Sequence, residues 1–364
     1  MSEMRSLLVD TATRLFDDHC TRTVVEAAEH GTWPAALWNA LDETGLSGAS
    51  RSEARGGAGA SMADVFALVG LAGSKAVPAP LAETLLAEEM LAAADLPPLD
   101  GPLTIAPVLR RDRLALRKSG GEWIVSGTLH RVPWARDAQA LVAIAESADG
   151  ARTIVVRPGK GIEHDWNYAR EPRDTVRLDD LRIDSTAVGA NNHGYTREQL
   201  YFRGALYRVV AMAGAISTLL ELTVRYAKER TQFGRPIGKY QAVQQQIAAL
   251  ASQAAAAVAV SHAAAEAAVE GPGHFEIAAA KARIGEAVAS AAGIAHQVHA
   301  AMGFTHEHTL HRSTRRLWTW RDEFGTENEW AAWVGATVAH IGGEDLWAFL
   351  TQQQKPASPV PLPE

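Results

Sequence analysis

The sequence predicts an α+β multidomain chain: a helical N-terminal domain over residues 1–100, a small middle β domain over 101–192, a C-terminal bundle of four or five helices over 193–353 and a proline-rich tail over 354–364. Three observations carry this division. Apolar residues recur at helical spacing up to about residue 95, short β-branched and aromatic runs replace them between Leu103 and Ile183, and helical spacing resumes near Arg197 and holds to about Leu350. The middle region is too long for a linker and too strand-like to continue the helices.

In the first domain Leu7, Leu8, Ala12, Leu15 and Phe16 fall near helical spacing. A further helix fits Trp33 to Leu46, with Pro34 where a helix can begin, and two more fit Met62 to Gly73 and Pro80 to Ala94. The cluster Gly56-Gly57-Ala58-Gly59 separates these pairs. No strand pattern precedes it and no Lys-Ser/Thr follows it, so it reads as a flexible connector rather than a phosphate loop. The strand-like runs are Leu103 to Val108, Arg113 to Leu116, Glu122 to Val125, Ala138 to Ile144, Thr153 to Val156 and Thr175 to Ile183, with turns at Ser119-Gly120-Gly121 and Asp149-Gly150. The last domain divides into helices at Gln199 to Arg230, Tyr240 to Val269, Phe275 to Ala301 and a pair after Thr305. Ala249 to Ala268 is alanine-rich, which favours helix and close helix approach and suggests a place inside the bundle.

Composition narrows the class. With 364 residues, 47% hydrophobic and 21% charged, the chain has the balance of an ordinary globular protein. No apolar run is expected to reach the roughly 18 residues that span a bilayer, and Met1-Ser-Glu-Met-Arg5 lacks the features of a signal peptide. A cytoplasmic location without membrane attachment is expected. The single Cys20 excludes an internal disulfide and a thiolate metal cluster, and no metal site is expected. The net charge of -7 argues against bulk nucleic-acid binding, although Arg312, Arg315, Arg316 and Arg321 form a local basic patch suited to a phosphate group.

The most informative stretch is Tyr226-Ala-Lys-Glu-Arg230-Thr-Gln232-Phe233-Gly234-Arg-Pro236-Ile-Gly238-Lys-Tyr240-Gln241, a helix-to-helix turn carrying cation, aromatic ring and glycine at fixed spacing. It resembles the signature of acyl-CoA dehydrogenases. A second stretch, Gln297-Val-His299-Ala300-Ala301-Met-Gly303-Phe304-Thr305, resembles that family's Gln-to-Gly-Phe motif, with Ala300 and Ala301 where two glycines are common. A third, Pro80 to Glu88 together with Trp38, Leu41, Gly45 and Leu46, resembles the helices that cover the acyl site. The resemblance spans nearly the whole chain and implies that the middle domain is a small β-barrel.

The resemblance also implies FAD as cofactor and α,β-dehydrogenation of an acyl-CoA thioester, with electrons passed to an electron-transfer flavoprotein or similar acceptor. That chemistry needs a carboxylate for the α-proton, flavin N5 for the β-hydride and donors for the enolate oxygen. Arg230, Gln232 and Phe233 then correspond to residues reaching a neighbouring subunit's FAD, where a guanidinium suits the diphosphate and a flat ring the adenine. Gln297 and Ala301, and Gly325 and Thr326 of the later turn, are the other cofactor candidates. His299 reads as a packed or capping residue in preference to a catalytic one.

The departures matter as much. In most of the family the base is the glutamate of a Tyr-Glu-Gly-Thr turn, and the matching residues here are Glu323-Phe324-Gly325-Thr326, so Phe324 takes its place. Glu323 is the candidate base only if the turn is rearranged, because one step along a helix rotates a side chain by about 100°. Relatives that carry the glutamate earlier place it near Arg203 and Gly204, where this chain has no carboxylate. The Gly-Ser flavin loop is replaced by Ile105-Ala-Pro107-Val108-Leu109-Arg110, and the flavin-contacting hydroxyl of a Trp-Ile-Thr run by Pro133. Motifs serving a neighbour's cofactor are kept while those serving the chain's own are altered. This pattern resembles heteromeric enzymes of actinobacterial steroid degradation. It implies a subunit sharing FAD sites with a homologous chain, as a heterotetramer; a catalytically incomplete structural or regulatory partner and a self-sufficient homotetramer using Glu323 are the alternatives.

Overall fold

The computed structural model describes residues 3–157, 159, 161–190 and 194–351; the proline-rich tail lies outside them. The chain divides into two compact units, one of residues 1–68 and 78–204, the other of residues 69–77 and 205–364. N-terminal helices, a central β half-barrel and C-terminal helices follow one another along the sequence.

The first unit begins with α1 (Glu3–His19), α2 (Arg22–Glu29) and α3 (Ala35–Glu43), includes the start of α4 (Met62–Ser74), and continues with α5 (Leu81–Ala93). Helix α2 was not visible in the sequence pattern: it has eight residues, two adjacent valines, and relies on the Thr21 side chain accepting from the Val24 N–H. The glycine cluster is better defined than a flexible connector. Arg51 reaches Glu88 at 2.9 Å, Gly57 N–H donates to Ser52 O and Gly59 N–H to Arg51 O, so the loop is fastened to α5.

Seven strands form one sheet: β1 (Leu103–Ile105), β2 (Arg113–Ser119), β3 (Glu122–Pro133), β4 (Ala140–Ser147), β5 (Gly150–Val156), β6 (Ile162–Glu163) and β7 (Arg173–Ile183). Their order is β1-β4-β2-β3-β7-β6, with β5 pairing β4. This sheet is the half-barrel of the small middle β domain that the sequence implied. Gly120 and Gly121, at φ 60° and 93°, make the two-residue loop of the β2–β3 hairpin, a geometry that side-chain-bearing residues resist. Leu114, Leu116, Val125, Leu129, Val132, Leu141, Ile154 and Val176 build the sheet's core.

The second unit contains most of α6 (Arg197–Glu229), the two-residue strands β8 (Thr231–Gln232) and β9 (Arg235–Pro236), α7 (Gln241–Glu270), α8 (His274–His299), α9 (Leu310–Asp322), α10 (Glu327–Ile341) and α11 (Leu346–Thr351). Helix α7 buries Leu250, Ala254, Ala257, Ser261 and Ala264. This alternation of four and three residues is a narrow coiled-coil-like seam, and α8 is its neighbour. The expectation that α7 lies inside the bundle is corrected: only 28% of its most apolar window is buried in this chain, against 67% for α6. Both helices are also long and apolar enough to cross a membrane by length and composition, contrary to the sequence expectation. Alanine, with little to bury per residue, raises the hydropathy of α7 without a large apolar surface.

Candidate functional site

The arginine motif folds into a hairpin. Gln232 pairs with Arg235, leaving Phe233 and Gly234 as a two-residue loop. Both are left-handed, at φ 51° and 80°, as such a loop demands. Asn or Gly normally fills the first place, so a phenylalanine there is held at a conformational cost. At 92% exposure its ring gains little from packing within the chain, where it meets only the Tyr240 ring edge-on at 6.4 Å among the described residues. Tyr240 fastens the hairpin: its hydroxyl donates to Gln232 O at 3.1 Å, and Arg235 lies 4.3 Å over its ring. Arg230 and Gln232 are exposed, and Arg230 makes no side-chain hydrogen bond or ion pair among the described residues.

The glutamine motif ends α8 beside this hairpin. His299 is fully buried, donates from Nδ1 to Ala295 O at 2.7 Å, and stacks on Tyr226 at 4.4 Å. Tyr226 lies one helical turn before Arg230, so the stack brings the two motifs together. Burial lowers the His299 pKa, as does nearby His308, so the ring is neutral and packed. Gln297 and Ala301 are exposed, beside Met302 and a 74%-exposed Phe304. Ala300 has φ 50° and ψ −136°, a backbone that glycine adopts readily and alanine does not.

The third turn joins α9 to α10. Phe324 and Gly325 are left-handed at φ 53° and 93°. The turn is fastened on several sides: Lys281 Nζ donates to Arg321 O and Gly325 O, each at 2.6 Å, Trp330 Nε1 donates to Phe324 O at 2.8 Å, and Arg208 Nε donates to Glu323 Oε2 at 2.6 Å. Glu323 is therefore one partner of an ion pair whose side chains are 11% and 6% exposed, and its carboxylate is not an open proton acceptor. Thr326 caps α10 in a reciprocal box with Glu329, which engages its hydroxyl. Gly325 contributes its left-handed backbone and its carbonyl. The surface basic patch is corrected as well: Arg312 and Arg316 are buried and Arg321 pairs with Glu327.

At the end of β3, in the first unit, Pro133 O accepts from the Thr104 hydroxyl. Arg131 and Trp134 on either side are left-handed, at φ 56° and 53°. Trp134 is buried and meets Trp33 edge-on at 6.3 Å, so this indole belongs to the unit's own packing. At the earlier base position Arg203 Nε bonds Glu89 Oε2 at 2.8 Å, and the Tyr195 hydroxyl donates to the same oxygen at 3.0 Å. A carboxylate thus reaches that place from α5, but an arginine holds it. Sequence reasoning missed Glu89, Arg208 and Lys281. A single charge within an apolar helix face is the signal that finds the last two.

These residues fit FAD unevenly. The outward cation and ring of the hairpin, with the exposed Gln297 and Ala301, fit the diphosphate and adenine portion of a dinucleotide. Pro133, which has no N–H, and the internally packed Trp134 do not fit the ring contacts that the resemblance assigns to a chain's own flavin.

Comparison with known proteins agrees with the architecture. Two family profiles match, "Acyl-CoA dehydrogenase, N-terminal domain" over residues 2–94 and "Acyl-CoA dehydrogenase, C-terminal domain" over residues 197–329. The acyl-CoA dehydrogenase IpdE2 of Mycobacterium tuberculosis is 30% identical over 323 residues, 86% of this chain and 91% of its own length. Its counterpart in Mycolicibacterium smegmatis is 28% identical over 85% of this chain and 91% of its own length. Among solved structures, the ChsE4-ChsE5 complex of M. tuberculosis contains a chain with TM-score 0.85 and 22% identity, covering 94% of this chain and 99% of that one. A Tcur3481-Tcur3483 steroid acyl-CoA dehydrogenase variant gives TM-score 0.81 at 25% identity over 93% and 98%. The chain belongs to the acyl-CoA dehydrogenase family, oxidoreductases acting on CH–CH groups.

Proposed function

We propose that this chain is one subunit of a heteromeric, FAD-dependent acyl-CoA dehydrogenase and that it lends Arg230, Gln232, Phe233, Gln297 and Ala301, with Gly325 and Thr326 of the later turn, to FAD seated mainly in a homologous partner. The observation that carries this reading is the hairpin: a left-handed Phe233, 92% exposed, beside an Arg230 with no partner among the described residues. Strain of this kind persists where a ligand or partner uses the group. FAD, when bound, supplies the hydride acceptor. This chain's residues hold and neutralise its diphosphate and leave the base and the ring contacts to the partner. Cytoplasmic location, an electron-transfer flavoprotein acceptor and a steroid-derived acyl group accompany the reading, the last because one related structure is described as a steroid enzyme.

The visible flavin spectrum tests it, recorded on the lone chain and on the chain co-expressed with a homologous partner, followed by anaerobic acyl-CoA. A colourless lone chain that gains bleachable flavin only with its partner supports the proposal; bleachable flavin in the lone chain refutes it. A purely structural partner is the second reading, favoured by the Arg208–Glu323 and Arg203–Glu89 pairs. Unchanged flavin content and activity of the complex after Arg230→Ala would select it.

A further inference from the structure

Lys281 has no accessible surface, and it lies on a face of α8 that also buries Ala278, Ile284 and Ala287. Burying an ammonium is costly unless its donors are used. Here two are, on Arg321 O in the last turn of α9 and on Gly325 O just before the cap of α10. A single amine therefore bridges the break between two helices, and the bridged segment contains the left-handed Phe324. Burial is the largest influence on the amine and lowers its pKa to about 7. Asp322, Glu323 and Glu327 act the other way, and Arg208 of α6 adds to the lowering. Arg321 pairs with Glu327 beside it.

We propose that Lys281 is the positioning residue of the Glu323–Thr326 turn, fixing its backbone for the cofactor by holding the carbonyls of Arg321 and Gly325. The link to the cofactor rests on the function proposed above. A neutral amine still has two N–H donors, one for each carbonyl, and no longer buries a charge. When the turn opens, the amine returns to water and takes up a proton, so acidification favours opening. The sign follows from linkage. The folded pKa is lowered relative to that of a solvated lysine, about 10.4, so the closed state binds fewer protons between these values and gains stability as pH rises through them.

Hydrogen exchange of the full chain between pH 7 and 9, corrected for intrinsic rates and read on peptides covering residues 321–330, tests the clamp against α1 as internal reference. In the wild type the opening equilibrium constant should fall about fivefold from pH 7 to 8, where the closed-state amine is still partly protonated, and close to tenfold from pH 8 to 9, the slope for uptake of one proton. Lys281→Met should abolish the slope. Lys281→Arg, which keeps donors with a permanent charge, should abolish it too. A pH-independent wild-type turn, or a slope that survives Lys281→Met, overturns the proposal. Flavin retention by the co-expressed complex is the second readout: loss of more than half with Lys281→Met supports positioning, whereas full retention with the slope intact in the wild type overturns it. Failure of the underlying function reading is separate, and shows as unchanged flavin after Arg230→Ala.

Discussion

Replacing Ala300 by glycine should stabilise the protein, the reverse of what this substitution does inside a helix. At φ 50° and ψ −136° the Ala300 methyl group is held where L side chains are disfavoured, a strain of about 1–3 kcal/mol. Against this stands the greater freedom of glycine in the unfolded chain, about 0.4–1 kcal/mol. The residue is exposed, so removing its methyl sacrifices no buried contact. The difference leaves a gain of about 1 kcal/mol, or about 2–4 °C in Tm for a domain of 150–250 residues. Urea unfolding followed by tryptophan fluorescence measures it, with Ala301→Gly as control. Ala301 is also exposed but is not among the left-handed residues, so its substitution should cost about 0.5–1 kcal/mol. If both variants lose stability alike, the strain at Ala300 is not there and the argument from backbone conformation fails.

Three other outcomes are expected. Arg208→Met, by leaving the half-buried Glu323 carboxylate without this guanidinium, should destabilise by about 3–5 kcal/mol, and a denaturation midpoint unchanged within error would contradict the buried pair. Phe233→Asn should leave the stability of the lone chain equal or slightly higher, because asparagine tolerates the left-handed backbone, while lowering flavin retention in the complex; undiminished flavin would remove the ring from the cofactor site. Asp137 is partly buried, and desolvation raises its pKa to about 6, with Asp174 adding to the effect and Arg136 and His164 opposing it. Its folded pKa lies above the unfolded value, so its contribution to stability is complete below about pH 4 and is lost as pH rises through 6. Asp137→Asn should flatten that decline by about 1–2 kcal/mol after allowance for solvent screening, and a stability–pH curve that keeps its shape in the variant would refute the assignment.

Most helices and strands were legible because each rests on a local signal: helical spacing in Leu8 to Phe16, alternation in β2, paired glycines at positions 120 and 121. The motif turns were legible as sequence but not as strain. Nothing in the letters Phe233, Ala300 or Phe324 states that all three sit in left-handed backbone, since that follows from how the flanking helices and strands fix the chain ends. Glu323 stood out as a candidate base because carboxylates are counted along the chain, whereas Arg208 arrives from a helix more than a hundred residues earlier. Separations of 114 and 44 residues likewise hid Glu89 from Arg203 and Lys281 from Gly325. Helix α7 misled for a different reason: alanine serves equally on a buried seam and on a face left open, so composition alone does not say how many sides are covered.

The hairpin at Thr231 to Pro236 is already formed in the single chain, held by its own strand pair, the Tyr240 hydroxyl and the Arg235 stack. Ordering a loose segment on association costs about 1–2 kcal/mol per residue, a penalty this arm does not incur when it meets a partner. Such an arm docks as a fixed shape, and its recognition is then decided by fit at the tip rather than by folding on contact. Lengthening the loop beyond Phe233 and Gly234 should therefore slow docking and weaken selectivity together, even with every contacting side chain retained.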